Sequence, residues 1–153
     1  MEKFRPGPNE KILRKGNIDY LRGEQTFKAI MFHGAVLKCQ GVLTSERFVA
    51  CKESALKKFG LLLMLIAYLV PKKIIFEVPL ERLASITYGE GKATSEFTLK
   101  DSDGPEYRIR LDGLFDKRAT WIDLFVAALK NLRPDVEIQS GETGLEFVQR
   151  QEG

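Results

Sequence analysis

Few residues in this chain of 153 could carry chemistry on their own. Gly89-Glu90-Gly91-Lys92-Ala93-Thr94 has the glycines and the lysine of a phosphate-cradling loop. The spacing is wrong for one, Ala93 stands where the hydroxyl residue belongs, and no long helix follows, so the segment reads as a hairpin turn. His33 is the one histidine, which excludes histidine-based metal clusters and leaves any nucleophile–histidine triad to a single turn residue. Asp101 and Asp103 lie in Asp101-Ser102-Asp103-Gly104-Pro105, which has the chemistry of a turn, and two carboxylates make a poor calcium site. Arg108 and Arg110 share one strand face, where cross-strand carboxylates such as Glu96 are the natural partners. No catalytic constellation emerges, so the chain reads as non-enzymatic, with no metal and no cofactor.

The remaining distinctive pattern is lysine around an apolar run. Phe59-Gly60-Leu61-Leu62-Leu63-Met64-Leu65-Ile66-Ala67-Tyr68-Leu69-Val70 carries no charge, lies between Lys57-Lys58 and Lys72-Lys73, and is closed by Pro71. As a helix it would measure about 18 Å at 1.5 Å per residue. A hydrocarbon core is about 30 Å thick, so the run is too short to span one. It is apolar on every side, with no polar face to turn to water. It must therefore be buried, dip into a bilayer, or be covered by a protein partner or a second copy of the chain. The lysine pairs suit dipping, because their stems can run along apolar surface while the ammonium groups stay in water.

Charge supports a surface role. Residues 1–73 hold 14 Lys/Arg against 6 Asp/Glu, a balance of +8, and the remainder of the chain carries −5 within a total of +3. Such polarity either offers a basic face to anionic lipid or nucleic acid, or averages out over the folded surface because charges scattered in sequence need not cluster in space. Basic residues interleaved with exposed aromatics are not evident, so nucleic acid is not the expected partner. Cys39 and Cys51 sit among apolar neighbours, where free cysteines act as small core residues. No apolar stretch follows the N-terminus as a secretory signal would require, and the chain reads as cytoplasmic.

The elements that must hold these groups follow from periodicity. Residues 1–16 are polar, with Pro6, Gly7, Pro8 and Gly16, and form either an arm or a strap lying on the domain. From Gln25 to Glu53 a period of two predicts three antiparallel strands, the first through Phe27–Phe32, then Val36–Thr44 with a bulge or turn at Gln40-Gly41, then Arg47–Lys52. Further strands are predicted at Ile74–Val78, Leu83–Tyr88, Ser95–Lys100 and Glu106–Leu111. A helix follows, with Phe115, Ala119, Ile122, Val126, Leu129 and Leu132 as its stripe, Trp121, Phe125 and Ala128 widening it, and Asp112 or Asp116 as its cap. Pro134 ends it, and residues 135–153 are a polar tail or strap.

Seven strands and one amphipathic helix can make a partly open barrel of two near-orthogonal sheets, with the helix plugging one end. In this order the sequence resembles the pleckstrin-homology superfamily, nearest its GRAM-like and bacterial branches. The resemblance rests on Leu21-Arg22-Gly23-Glu24, Gly41-Val42-Leu43-Thr44-Ser45-Glu46-Arg47-Phe48-Val49, Phe76–Ile86 and the helix bearing Trp121. It implies an N-terminal arm at 1–19, the domain at 20–133 and a tail at 134–153. It also implies a binding module whose lipid site, where one exists, lies at the barrel's open end, between the first two strands and around the loop after the third. That loop is the lysine-flanked insertion here.

The expected membrane- or partner-binding residues are Lys57, Lys58, Phe59, Leu61, Leu62, Leu63, Met64, Leu65, Ile66, Tyr68, Leu69, Lys72 and Lys73. Lys28, Lys38, Arg47 and Lys52 are the expected headgroup ligands. The tight phosphoinositide binders resemble one another in a lysine followed by a basic-x-Arg pair; here Lys28 is followed by Lys38-Cys39-Gln40, and the arginine is missing. The expected partner is anionic membrane lipid at the inner face of a membrane, or a protein, including a second copy of this chain as an oligomer.

Overall fold

Alternating burial along the middle of the chain builds a single antiparallel sheet that does not close on itself. The computed structural model describes residues 3–23, 26, 28, 31, 34–52, 60–62, 72–89, 95–112 and 116–150. Its strands are β1 (Ile12–Leu21), β2 (Val36–Thr44), β3 (Arg47–Lys52), β4 (Ile74–Pro79), β5 (Leu83–Tyr88), β6 (Glu96–Asp101), β7 (Glu106–Leu111), β8 (Val136–Gly141) and β9 (Gly144–Gln149). A 3-10 turn at Leu80–Arg82 joins β4 to β5, and helix α1 (Arg118–Leu132) lies between β7 and β8. The spatial order is β4-β3-β2-β1-β7-β6-β5-β9-β8, so β1 joins the N-terminal half to the C-terminal half. Along that seam Ile18 faces Leu111 and Tyr20 faces Ile109.

The core follows from the two-residue alternation of strand side chains. Leu43, Phe48, Val78, Leu83, Ile86, Phe97, Leu99 and Ile109 turn inward and are buried together with Trp121, Phe125 and Leu129 of α1. Burying each large side chain contributes roughly 1.5–3 kcal/mol relative to leaving it in water, which is what keeps α1 on the sheet. Trp121 meets Phe48 edge-on with ring centroids 6.1 Å apart, and Phe125 meets both Phe48 at 5.6 Å and Phe97 at 6.1 Å. The helix buries Trp121, Ile122, Phe125, Ala128 and Leu129 while Ala119 is exposed, so its inward face is rotated from the expected stripe toward the tryptophan. Phe115 lies outside the described residues.

Four expectations are corrected. The first strand is Ile12–Leu21, where a polar lead was expected, whereas Lys28 and Met31 of the expected first strand are helical. Phe27, Ala29, Ile30 and Phe32 lie outside the described residues. Val36–Thr44 runs as one strand through Gln40 and Gly41, in unbroken register with Asn17 and Gly16. Residues 136–149 form a hairpin on the edge of β5, with Ile86 opposite Leu145, and bring the sheet to nine strands. Neither expected aspartate caps α1: its N-cap is Lys117, without a side-chain bond. Asp116 instead accepts hydrogen bonds from the Trp121 indole Nε1 at 2.9 Å and from Arg14 at 2.6 Å.

The strap alternative holds for residues 3–10. Val42, Val49 and Cys51 face away from the main core, and Phe4 and Ile74 cover them. Both cysteines are free and buried.

Candidate functional site at one end of the sheet

Strand pairing brings several chain connections to one end of the sheet. Leu21, the end of β1, faces Val36, the start of β2. Lys52, the end of β3, faces Cys39 of β2, and Ile74, the start of β4, faces Cys51. Leu21 also faces Arg108, near the start of β7. Residues 22–35, residues 53–73 and the hairpin at 102–105 therefore leave the sheet at the same end. Among the described residues, three large apolar side chains on these connections are exposed: Met31 at 61%, Leu61 at 71% and Leu62 at 72%. Ile12, Leu13 and Val148, exposed elsewhere, reach only about 40%, so among the described residues the most exposed large apolar groups are concentrated at this end.

Beneath the connections lies an aromatic cluster. Phe76 stacks on Tyr107 at 4.2 Å and meets Tyr20 edge-on at 4.8 Å, and the two tyrosines are 6.2 Å apart. The rings join β1, β4 and β7 and occupy the space between them. Burial, with smaller contributions from Tyr20 and Asp101, pushes the Tyr107 hydroxyl above its ordinary pKa.

The expected cations divide into two groups. Lys38 lies between Asp112 at 2.9 Å and Asp19 at 3.0 Å, and its pKa is raised by hydrogen bonds to those carboxylates, Asp112 first. Asp19 is buried and also takes Arg110 at 2.8 Å. Lys72 donates to the Gln40 side chain at 2.8 Å. Arg47 begins β3 and Lys52 ends it, a separation of about 17 Å at roughly 3.3 Å per residue. Arg47 is thus not brought together with the lysines. Its guanidinium holds Glu10 at 2.9 Å and Glu77 at 2.7 Å. Lys28, Lys52 and Lys73 are exposed, and the Lys73 carbonyl accepts the Lys52 backbone N–H at 2.8 Å. Lys57, Lys58, Phe59, Leu63, Met64, Leu65, Ile66, Tyr68 and Leu69 lie outside the described residues.

The strap is an arrangement that sequence reasoning did not anticipate in detail. The Glu10 carboxylate accepts from Thr44 Oγ1 at 2.7 Å, from Arg47 Nε at 2.9 Å and from the Gly7 N–H at 2.9 Å. Burial works to raise the Glu10 pKa, but the bonds from Arg47, Thr44 and Gly7 outweigh it and hold the carboxyl below its ordinary value. The Arg47 guanidinium lies 5.0 Å from the Phe4 ring centroid and donates to the Arg5 carbonyl at 3.0 Å. Lys3 bridges to Lys73 across an antiparallel contact, which ties the strap to the root of the apolar run. Under it, burial pushes the Cys51 thiol up to about 11 despite the nearby Lys72 and Arg47.

No family model matches this chain, and no curated protein matches it by sequence. Among solved structures, the N-terminal PH domain of human ARAP2 is 14% identical with a TM-score of 0.53, covering 90% of this chain and 96% of that domain. The linker-DH/PH domains of p115-RhoGEF are 8% identical with a TM-score of 0.53, covering 80% of this chain and 30% of theirs. The DH/PH domain of human ARHGEF11, solved with human RhoA and its inhibitor, is 16% identical with a TM-score of 0.52 and the same coverage of 80% and 30%. The chain thus spans 30% of the length of these DH/PH chains and nearly all of an isolated PH domain. The likenesses do not single out a GRAM-like branch. With the strand order and the buried C-terminal helix, they show that this chain has the pleckstrin-homology fold.

Proposed function

We propose that this chain is a non-enzymatic binding module that associates peripherally with anionic membrane lipid through the end carrying residues 22–35 and 53–73. The observation that carries the reading is the grouping of exposed Met31, Leu61 and Leu62 with exposed Lys28, Lys52 and Lys73 on connections that leave one end of the sheet. A leucine moved from water into the acyl boundary gains roughly 1.5–3 kcal/mol, and each lysine near an anionic surface adds about 1 kcal/mol. The remainder of the lysine-flanked run, Lys57 to Leu69, belongs to the same surface in this reading. Among the described residues no helix is long and apolar enough to cross a membrane. In this reading the mode is surface association, at the cytoplasmic face.

Co-sedimentation with vesicles, with and without anionic lipid, tests this reading. Leu61→Asp with Leu62→Asp is expected to abolish binding and leave the melting temperature unchanged, because both side chains already face solvent. A second reading draws on the same exposed leucines: exposed apolar side chains also suit a protein partner or a second copy of the chain. On that reading the double variant turns an oligomer into a monomer on sizing chromatography and has no effect on lipid binding.

A further inference from the structure

Arginine makes stereospecific phosphate sites because its planar fork holds two oxygens at once, whereas lysine acts as a mobile point charge. All ten arginines of the chain are among the described residues. Those around the open end are paired with groups of this same chain, at its surface. Arg22 directs Nε and Nη2 at the Gly34 carbonyl at 3.1 and 2.7 Å. Arg108 pairs with Glu96 at 2.9 Å, Arg110 with Asp19 at 2.8 Å and Arg82 with Asp101 at 3.0 Å. Arg5 and Arg150 have no side-chain partner among the described residues, but neither belongs to this end: Arg5 sits on the strap by Arg47, and Arg150 follows β9, four strands from β1.

The cations left at the open end are lysines. Lys28, Lys52 and Lys73 are exposed and have no side-chain partner among the described residues, and Lys3 stands opposite Lys73 in the bridge. Lys38, which could have joined them, is neutralised by Asp19 and Asp112. The space between β1, β4 and β7 at this end is occupied by the rings of Tyr20, Phe76 and Tyr107.

Resting on the peripheral membrane reading above, we propose that this end recognises the charge density of an anionic bilayer, supplied by any singly charged lipid, and has no stereospecific headgroup pocket. Met31, Leu61 and Leu62 give the attachment its depth, and the exposed lysines give it its dependence on charge. Exposed ammonium groups are screened over about 8 Å at physiological salt, so the interaction weakens steadily as salt rises.

The test uses the full chain and two vesicle preparations matched in total surface charge, one made with phosphatidylserine and one with phosphatidylinositol 4,5-bisphosphate, both in phosphatidylcholine. Partition is expected to agree within about twofold between them, and Lys52→Gln with Lys73→Gln is expected to lower both by about 25-fold. Calorimetric titration with inositol hexakisphosphate is expected to show no saturable binding. A preference of about tenfold or more for the phosphoinositide vesicles, or saturable inositol hexakisphosphate binding, overturns the charge-density proposal and leaves peripheral association standing. Equal binding to neutral vesicles overturns it as well. Absence of binding to every vesicle overturns both readings.

Discussion

The backbone N–H of Phe4 donates to the carbonyl of Lys72 at 2.8 Å, so the N-terminal strap is fastened to the last turn of chain before β4. The same strap lays the Phe4 ring over Val42, Val49 and Cys51. Phe4→Ala removes that cover. The variant is expected to lose about 2 kcal/mol in urea denaturation. Cys51 in the parent, buried and with its pKa pushed up to about 11, should react slowly with a thiol reagent such as DTNB. In the variant its rate should rise about tenfold or more. Cys39→Ala in both backgrounds isolates the Cys51 signal, and an unchanged rate would mean that the strap does not shield the thiol.

Glu10 gives the strap a pH dependence with a defined sign. Its folded pKa lies below its ordinary value of 4.5. The unfolded chain therefore binds the proton more readily, and the ion pair's contribution is complete above that ordinary value and disappears as pH falls through the folded pKa. Glu10→Gln leaves Arg47 without its buried counter-charge and is expected to cost about 2–3 kcal/mol at neutral pH. The stability difference between parent and variant should shrink toward zero as the solution is acidified, read from urea midpoints at a series of pH values. A difference that stays constant into strong acid would remove the ion pair as its cause.

Asp116 joins β1 to α1 by holding both Arg14 and the indole of Trp121. Asp116→Ala leaves the buried indole N–H without an acceptor and should cost about 2–3 kcal/mol. Asp116→Asn keeps a carbonyl for the indole and loses only the charge for Arg14, so its cost should be smaller. Gly16 lies under the same ring, where a Cβ would stand 2.9 Å from Trp121 Cζ2. Gly16→Ala should therefore shift the tryptophan emission as well as the urea midpoint, whereas an unperturbed spectrum would show that the ring has room to move.

Gly144 opens β9 with φ +147, and a Cβ there would collide with the Ile86 carbonyl oxygen. Gly144→Ala should loosen the β8–β9 hairpin from β5 while the other strands persist. The amide of Tyr88, which donates to the Thr143 carbonyl at 2.8 Å, is the reporter. Its hydrogen-exchange protection should fall by about tenfold or more, with little change at Ile109 in the central seam.

The strands that sequence reasoning located are those whose inward and outward residues differ sharply. Glu96–Asp101 and Glu106–Leu111 alternate clearly, and the expected strands Ser95–Lys100 and Glu106–Leu111 match them to within a residue. β1 escaped because Arg14, Lys15, Asn17 and Asp19 make it read as polar, although Asp19 is buried by ion pairs that only the folded sheet supplies. β8 and β9 escaped for a related reason, since Val136, Leu145 and Phe147 are their only buried side chains. The lysine-flanked run was legible as an exceptional segment, and its roots lie beside β2, where Lys52 faces Cys39 and Lys72 donates to Gln40. Which cations stay available was not legible, because Lys38 and Arg47 are neutralised by Asp19, Asp112, Glu10 and Glu77, each distant in the chain or on another strand.

The seam between β1 and β7 bears on how the molecule assembles. Arg110 reaches Asp19 across 91 positions of chain, and Trp121, which fills the space under Gly16, follows later still. On a ribosome, β1 to β4 emerge with one edge of β1 unpaired and the inner face uncovered until the last third of the chain arrives. Pairing over such distances has a large loop-closure cost and places folding in the millisecond-to-second range. During that interval the apolar run and the uncovered sheet face are exposed together, which makes synthesis the stage at which this protein most needs a chaperone.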